Sequence, residues 1–213
     1  MTQLKYAHFP ILLIIALSAT TAMAIEEAKY DVISKDNDIE VRGYIAHIVA
    51  ETLVNGDIEE AGNQAFKPLF DYISGNNASQ SDIAMTAPVG QQPSGEAIAM
   101  TAPVGQQKAE SGWAVSFMMP DSYTIDTIPT PNDKRVVLRQ VASQTVAAIR
   151  YSGFWSESNY LEHKITLENW IKQSHYEANG KAIWARYNAP FTPWFLRRNE
   201  VLIPITIPSA PLS

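Results

Sequence analysis

Of the four histidines, three lie beyond residue 24 and could hold a metal ion or a haem iron: His47, His163 and His175. His163 and His175 are twelve residues apart. On a helix that is about 120° of rotation, so they form no local metal pair. His47 alternates with Ala46 and Ile48 in an extended run and must face away from both. It reads either as a metal or haem ligand or as a hydrogen-bonded strand histidine. Met85, Met100, Met118 and Met119 offer thioethers that suit copper or haem iron, or fill a core. Arg197 and Arg198, beside Trp194 and Phe195, could grip an anionic group or lie as surface arginines. Glu59 and Glu60 resemble a pair of catalytic acids, but a helix cap explains them better.

The chain has no cysteine. That excludes disulfides, thiolate metal sites, a cysteine nucleophile and c-type haem attachment. G-x-S-x-G, H-E-x-x-H, P-loop and G-x-G-x-x-G patterns are also absent. No constellation of these types points to catalysis, and we expect a non-catalytic protein.

The elements that must position these residues follow from periodicity. Tyr30–Ser34, Ile39–Tyr44 and Ile45–Leu53 read as strands, the first two joined as a hairpin by Lys35–Asp38. Asp57 and Glu60 form a capping box. Behind them Ile58, Ala61, Ala65, Phe66, Leu69, Phe70 and Ile73 mark one helical face. Pro68 should kink or split this helix, and Gly75 should end it in a left-handed cap. Strands are expected at Trp113–Met119, Arg135–Arg139 and Thr145–Tyr151. A second helix runs from Ser156 to about His175, and closing strands follow at Ala182–Tyr187 and Asn199–Ile205. IAMTAPVGQQ occurs twice, at 83–92 and 98–107. We read this as a tandem duplication in a loop, one copy forming a strand. The order is strands, helix, strands, repeated once. It predicts an α+β domain whose two β-α-β halves face their sheets into one distorted antiparallel barrel, with the helices outside.

The chain is 213 residues long with a formal net charge of −6. That charge excludes a general nucleic-acid binder. Residues 1–24 order a positive charge, an apolar run and Ala22-Met23-Ala24, as a cleaved secretory signal does. We expect cleavage after Ala24, a single domain over 25–213, a periplasmic or secreted location and no remaining membrane anchor.

Several ordered motifs carry a resemblance. They are Tyr30-Asp31-Val32 with Ile39–Tyr44, the helix from Ala61 to Asn77, Ile83–Val89, Tyr151–Phe154, Tyr187–Pro190 and Arg197–Val201. Together, from about residue 28 to 205, they resemble the SOUL haem-binding family. The resemblance implies a duplicated β-α-β fold and non-covalent binding of haem or a related tetrapyrrole in an apolar groove near the first helix. Phe66, Phe70, Met85 or Met100, and Tyr187 would line that slot. Lys67, Arg197 and Arg198 would meet the propionates. Some members carry a histidine where this chain has Gly43, which leaves His47 as the best axial candidate. The alternative is a hydrolytic or small-molecule-binding protein on the same fold with a ligand other than a tetrapyrrole.

Overall fold

A computed structural model describes residues 25–80 and 95–207. The main strands are β1 (Tyr30–Asp36), β2 (Ile39–Tyr44), β3 (His47–Val54), β4 (Val104–Lys108), β5 (Trp113–Met118), β6 (Val136–Val141), β7 (Gln144–Tyr151), β8 (Ile183–Arg186) and β9 (Asn199–Thr206). Helix α1 (Ile58–Ile73) follows β3, and α2 (Glu157–Gln173) follows β7. The strands form one antiparallel sheet in the order β6-β3-β5-β4-β8-β9-β7-β2-β1. Exchanging β3, β4, β5 and β6 for β7, β8, β9 and β2 reproduces the run from β6 to β2 read backwards, with β1 added at one edge, so the two halves are topologically matched. Each half lends a strand to the other: β2 pairs with β7, and β6 with β3. Among the described residues the hydrogen-bonded path ends at β6 and β1 and does not close on itself.

Both helices cover one face of the sheet. Ile48, Ala50, Val115, Phe117, Trp184, Val201 and Ile203 point into that core, with Ala61, Leu69, Leu167 and Ile171 packed onto them from the helices. Alternation sends their neighbours to the opposite face, where Ala148, Ala185 and Leu202 form a small second cluster with Ile183 and Tyr187 beside it.

The local signals act as their chemistry dictates. The Asp57 side chain accepts from the Glu60 N–H at 2.8 Å, closing the first turn of α1. Gly75 has φ 110° just past the helix end, where a side chain would be strained. Pro68 does not split α1, which stays helical from Ile58 to Ile73 with the ring buried. In α2 only Tyr160, Leu167 and Ile171 are buried, and Leu161 and Ile165 face solvent. The second IAMTAPVGQQ copy supplies β4. The first copy, Met85 included, lies outside the described residues.

Candidate functional site: the α1 groove and the opposite sheet face

α1 presents an unusual outer stripe. Phe66 and Phe70 stack at 5.4 Å between ring centroids although each is more than two-fifths exposed. The sequence placed both on the apolar face. The structure puts them at its margin, where Phe66 also meets the Phe117 ring edge-on at 5.8 Å. Exposed Lys67 is held by Asp71 at 2.8 Å.

Gly62 lies one turn before Phe66 on the same stripe. It is where α1 meets β8. A Cβ at Gly62 would lie 2.3 Å from Nη2 of Arg186, so only glycine lets the guanidinium lie against the helix. Arg186 is flanked by the rings of Trp155 and Trp184, each 5.2 Å away. Arg197 covers Trp155 at 4.3 Å, which brings the Asn188–Arg198 loop to the same groove. The Arg197 guanidinium donates to the carbonyls of Thr192 and Pro190, both at 2.8 Å. The N-terminal ends of the two helices also meet: Glu59 accepts from the Glu157 N–H at 3.0 Å.

The remaining expected residues are elsewhere. Tyr187 and Arg198 belong to a buried charge cluster on the other sheet face. Glu200 is fully buried and accepts from Arg42 Nη1 at 2.7 Å and Nη2 at 3.1 Å, Arg198 Nε at 3.0 Å and the Tyr187 hydroxyl at 2.8 Å. Arg198 also donates to Glu27 at 2.7 Å. Burial pulls the Arg42 pKa down, but the Glu200 carboxylate outweighs it and holds the guanidinium firmly charged. Burial pushes the Tyr187 phenol well up, and Glu200 adds to the shift. These groups satisfy one another, so Tyr187 and Arg198 do not line the slot over α1.

His47 shares the sheet face away from the helices with Val49 and Glu51, because Ile48 and Ala50 point to the core. Its Nδ1 is 3.1 Å from the Ile45 carbonyl, and no described residue hydrogen-bonds Nε2. With Tyr44, Val49, Met118, Val146 and Leu202 it lines a cleft of about 180 Å³. Pockets that engulf small organic ligands run to roughly 300–1,000 Å³. His163 is stacked on Tyr151 at 3.8 Å and bonded through Nδ1 to the Asn159 carbonyl. Met119 is buried in the core, and Met100 is exposed. Among the described residues no cluster of three or more histidines and carboxylates is placed to hold a metal ion.

The groove thus offers a stacked aromatic pair, a glycine step and basic side chains, and His47 is not among them. Residues 25–204 match the family described as SOUL heme-binding protein. The chain belongs to the SOUL family. Relatives include mouse Heme-binding protein 2, 26% identical over 82% of this chain and 85% of that protein. Human Heme-binding protein 2 is 26% identical over 87% of this chain and 92% of its own length. The EcmrR C-terminal domain superposes with a TM-score of 0.53 over 83% of this chain and 98% of its own, at 10% identity, a likeness of fold alone.

Sequence reading missed Arg186, Trp155 and Gly62. One signal was available: Arg186 stands two residues from Trp184 in one strand and shares its face, so a buried Trp184 brings Arg186 to the helix side.

Proposed function

We propose that this SOUL protein binds haem or a related tetrapyrrole non-covalently and without catalysis, on the α1 groove. The carrying observation is the half-exposed Phe66–Phe70 stack, an apolar platform left uncovered beside basic side chains. A porphyrin ring needs such a flat apolar surface, and haem would supply a redox-active iron when bound. The relatives' names support the ligand class. Phe66 and Phe70 hold the ring, and Lys67 and Arg197 border it. His47 faces the opposite side of the sheet, so the iron receives no strong protein ligand from it. The fold reading that accompanies this is a distorted barrel of two matched β-α-β halves, supported by the exchange symmetry of the strand order.

We also place the working protein outside the cytoplasm, with residues 1–24 removed. N-terminal sequencing of the exported chain should begin at Ile25. A start at Met1 contradicts that location.

A second reading puts the ring on the other sheet face. Its support is that His47 and Met118, both able to ligate iron, line one cleft there. A haem titration followed at the Soret band tests the function itself. One equivalent should saturate the change. Its absence favours a ligand other than a tetrapyrrole, and a hydrolytic role becomes the reading to test.

A further inference from the structure

We propose that Arg186 is the receptor for a carboxylate group carried by the ligand of the α1 groove. This rests on the α1 reading and names the part of the ligand that Arg186 grips.

Arg186 differs from the other arginines near the core. Arg42 and Arg198 are paired with carboxylates, and Arg197 is satisfied by two carbonyls. Arg186 has one long hydrogen bond, from Nη2 to Gln106 Oε1 at 3.3 Å. No described carboxylate pairs with it. Among the described residues its Nε is buried with no acceptor, and so are the Tyr151 hydroxyl and Trp184 Nε1. The indole draws the Tyr151 pKa down somewhat, so the two groups are close, yet they complete no bond of normal geometry. The cluster is therefore rich in donors and has no anionic acceptor.

A cation in this setting is costly. Burial lowers the Arg186 pKa to about 10, which still leaves it charged at neutral pH. A protein usually answers such a charge with a carboxylate from its own chain. Here the guanidinium, which keeps some solvent exposure, is answered only by aromatic faces and a side-chain amide. A carboxylate presents two oxygens that match the fork of a guanidinium. Gly62, Phe66 and Phe70 follow one another on one helix stripe at about 6 Å per four residues. An apolar ring on the phenylalanines therefore has its edge at Arg186. The ligand class is a flat apolar acid: a tetrapyrrole with its acid side arms, or a free aromatic acid.

The test compares wild-type protein with Arg186→Met, using ferric haem, haem dimethyl ester and benzoate. Soret absorbance reports the first two, and tryptophan fluorescence reports all three, since Trp155 and Trp184 flank the group. Wild type should prefer haem over the ester by about tenfold or more, the scale of one charge-assisted bond. Arg186→Met should erase that preference by weakening haem alone. Without ligand it should melt no lower than wild type, because it removes a largely buried charge that no described carboxylate offsets. A benzoate response lost in Arg186→Met identifies free acids as a source of the carboxylate. A response to haem alone identifies the tetrapyrrole's own side arm. If neither haem nor its ester binds but benzoate does, and Arg186→Met loses the benzoate response, the tetrapyrrole reading fails while Arg186 keeps its role; a benzoate response kept in the variant overturns the proposal. Equal binding of haem and ester by wild type, or equal weakening of both in the variant, overturns the proposal, as does silence to all three. Should Arg186→Met not fold, Arg186→Lys keeps the charge, loses the fork, and should lose most of the preference.

Discussion

Phe66 and His47 stand on opposite faces of one sheet. Phe66 packs on Phe117 beside α1, and His47 lines the cleft on the far side with Val49 and Met118. A ring resting on the phenylalanines is therefore out of reach of the imidazole. The residue types suggest axial coordination, whereas their placement suggests a platform.

Glu200 holds the far face together. Its carboxylate takes bonds from Arg42, Arg198 and the Tyr187 hydroxyl in a fully buried position. Glu200→Gln leaves two guanidinium groups without their shared counter-charge. Breaking a buried pair from one side costs about 3–5 kcal/mol. Urea unfolding should show a loss of that order. A change under ~1 kcal/mol would mean that the cluster is solvated like a surface pair.

Alkaline pH should destabilise the fold through its buried phenols. Burial raises the pKa of Tyr72 and Tyr151 above the ordinary value, and that of Tyr160 to about 12. These groups stay protonated in the folded chain while the unfolded chain loses the protons above about pH 10. Stability is then unaffected below that pH and falls as pH rises through the folded pKa values, by up to about 1.4 kcal/mol per pH unit for each phenol. Arg186 works the other way. Its lowered folded pKa makes stability rise between about 10 and the ordinary arginine value. The phenols outnumber it, so the net slope should be downward. Absorbance at about 295 nm should show a late-titrating set of tyrosines that urea abolishes, since burial raises the pKa of phenols only in the folded chain. Uniform titration near pH 10 would contradict the burial.

The duplicated decapeptide should be dispensable in its first copy. The second copy builds β4, and the residues just before it are anchored. Asn77 bonds the backbone of Glu96 in both directions at 2.8 and 2.9 Å, and the Tyr123 hydroxyl donates to its carboxylate at 2.6 Å. Residue 96 therefore has to stay, which bounds the cut. Removing residues 83–94 joins segments already side by side, since Ser79 reaches Glu96 at 3.2 Å. A shorter loop costs little closure entropy. Circular dichroism should be unchanged and the melting temperature within a few degrees. Loss of the cooperative melt would assign the first copy a structural role.

Much of the scaffold was legible because its signals are local. Asp57 and Glu60 mark the start of α1, Gly75 its end, and alternation marks most strands. Pro68 misled because proline forfeits one hydrogen bond and a well-packed helix absorbs that. Closure into a barrel was expected from two helix-bearing halves, but the strand exchange that joins β2 to β7 and β3 to β6 is long-range and leaves no local trace. The site was less legible for the same reason. Tyr187 and Arg198 looked like ligand-facing residues, yet Glu200 claims both, a relation set by cross-strand register. Arg186 went unnoticed because its meaning lies in having no carboxylate partner among the described residues, a relation that appears once the chain is packed.

The most direct measurement is a parallel Soret titration of wild type, His47→Ala and Phe66→Ala/Phe70→Ala with ferric haem, after circular dichroism has shown that all three fold. His47→Ala should lose less than about tenfold in affinity, under about 1.4 kcal/mol. The double variant should lose more, because each ring removes apolar area at about 25 cal/mol per Å². Full binding by the double variant, together with abolished binding in His47→Ala, would contradict the account. It would place the ring on the far face of the sheet with its iron on the imidazole.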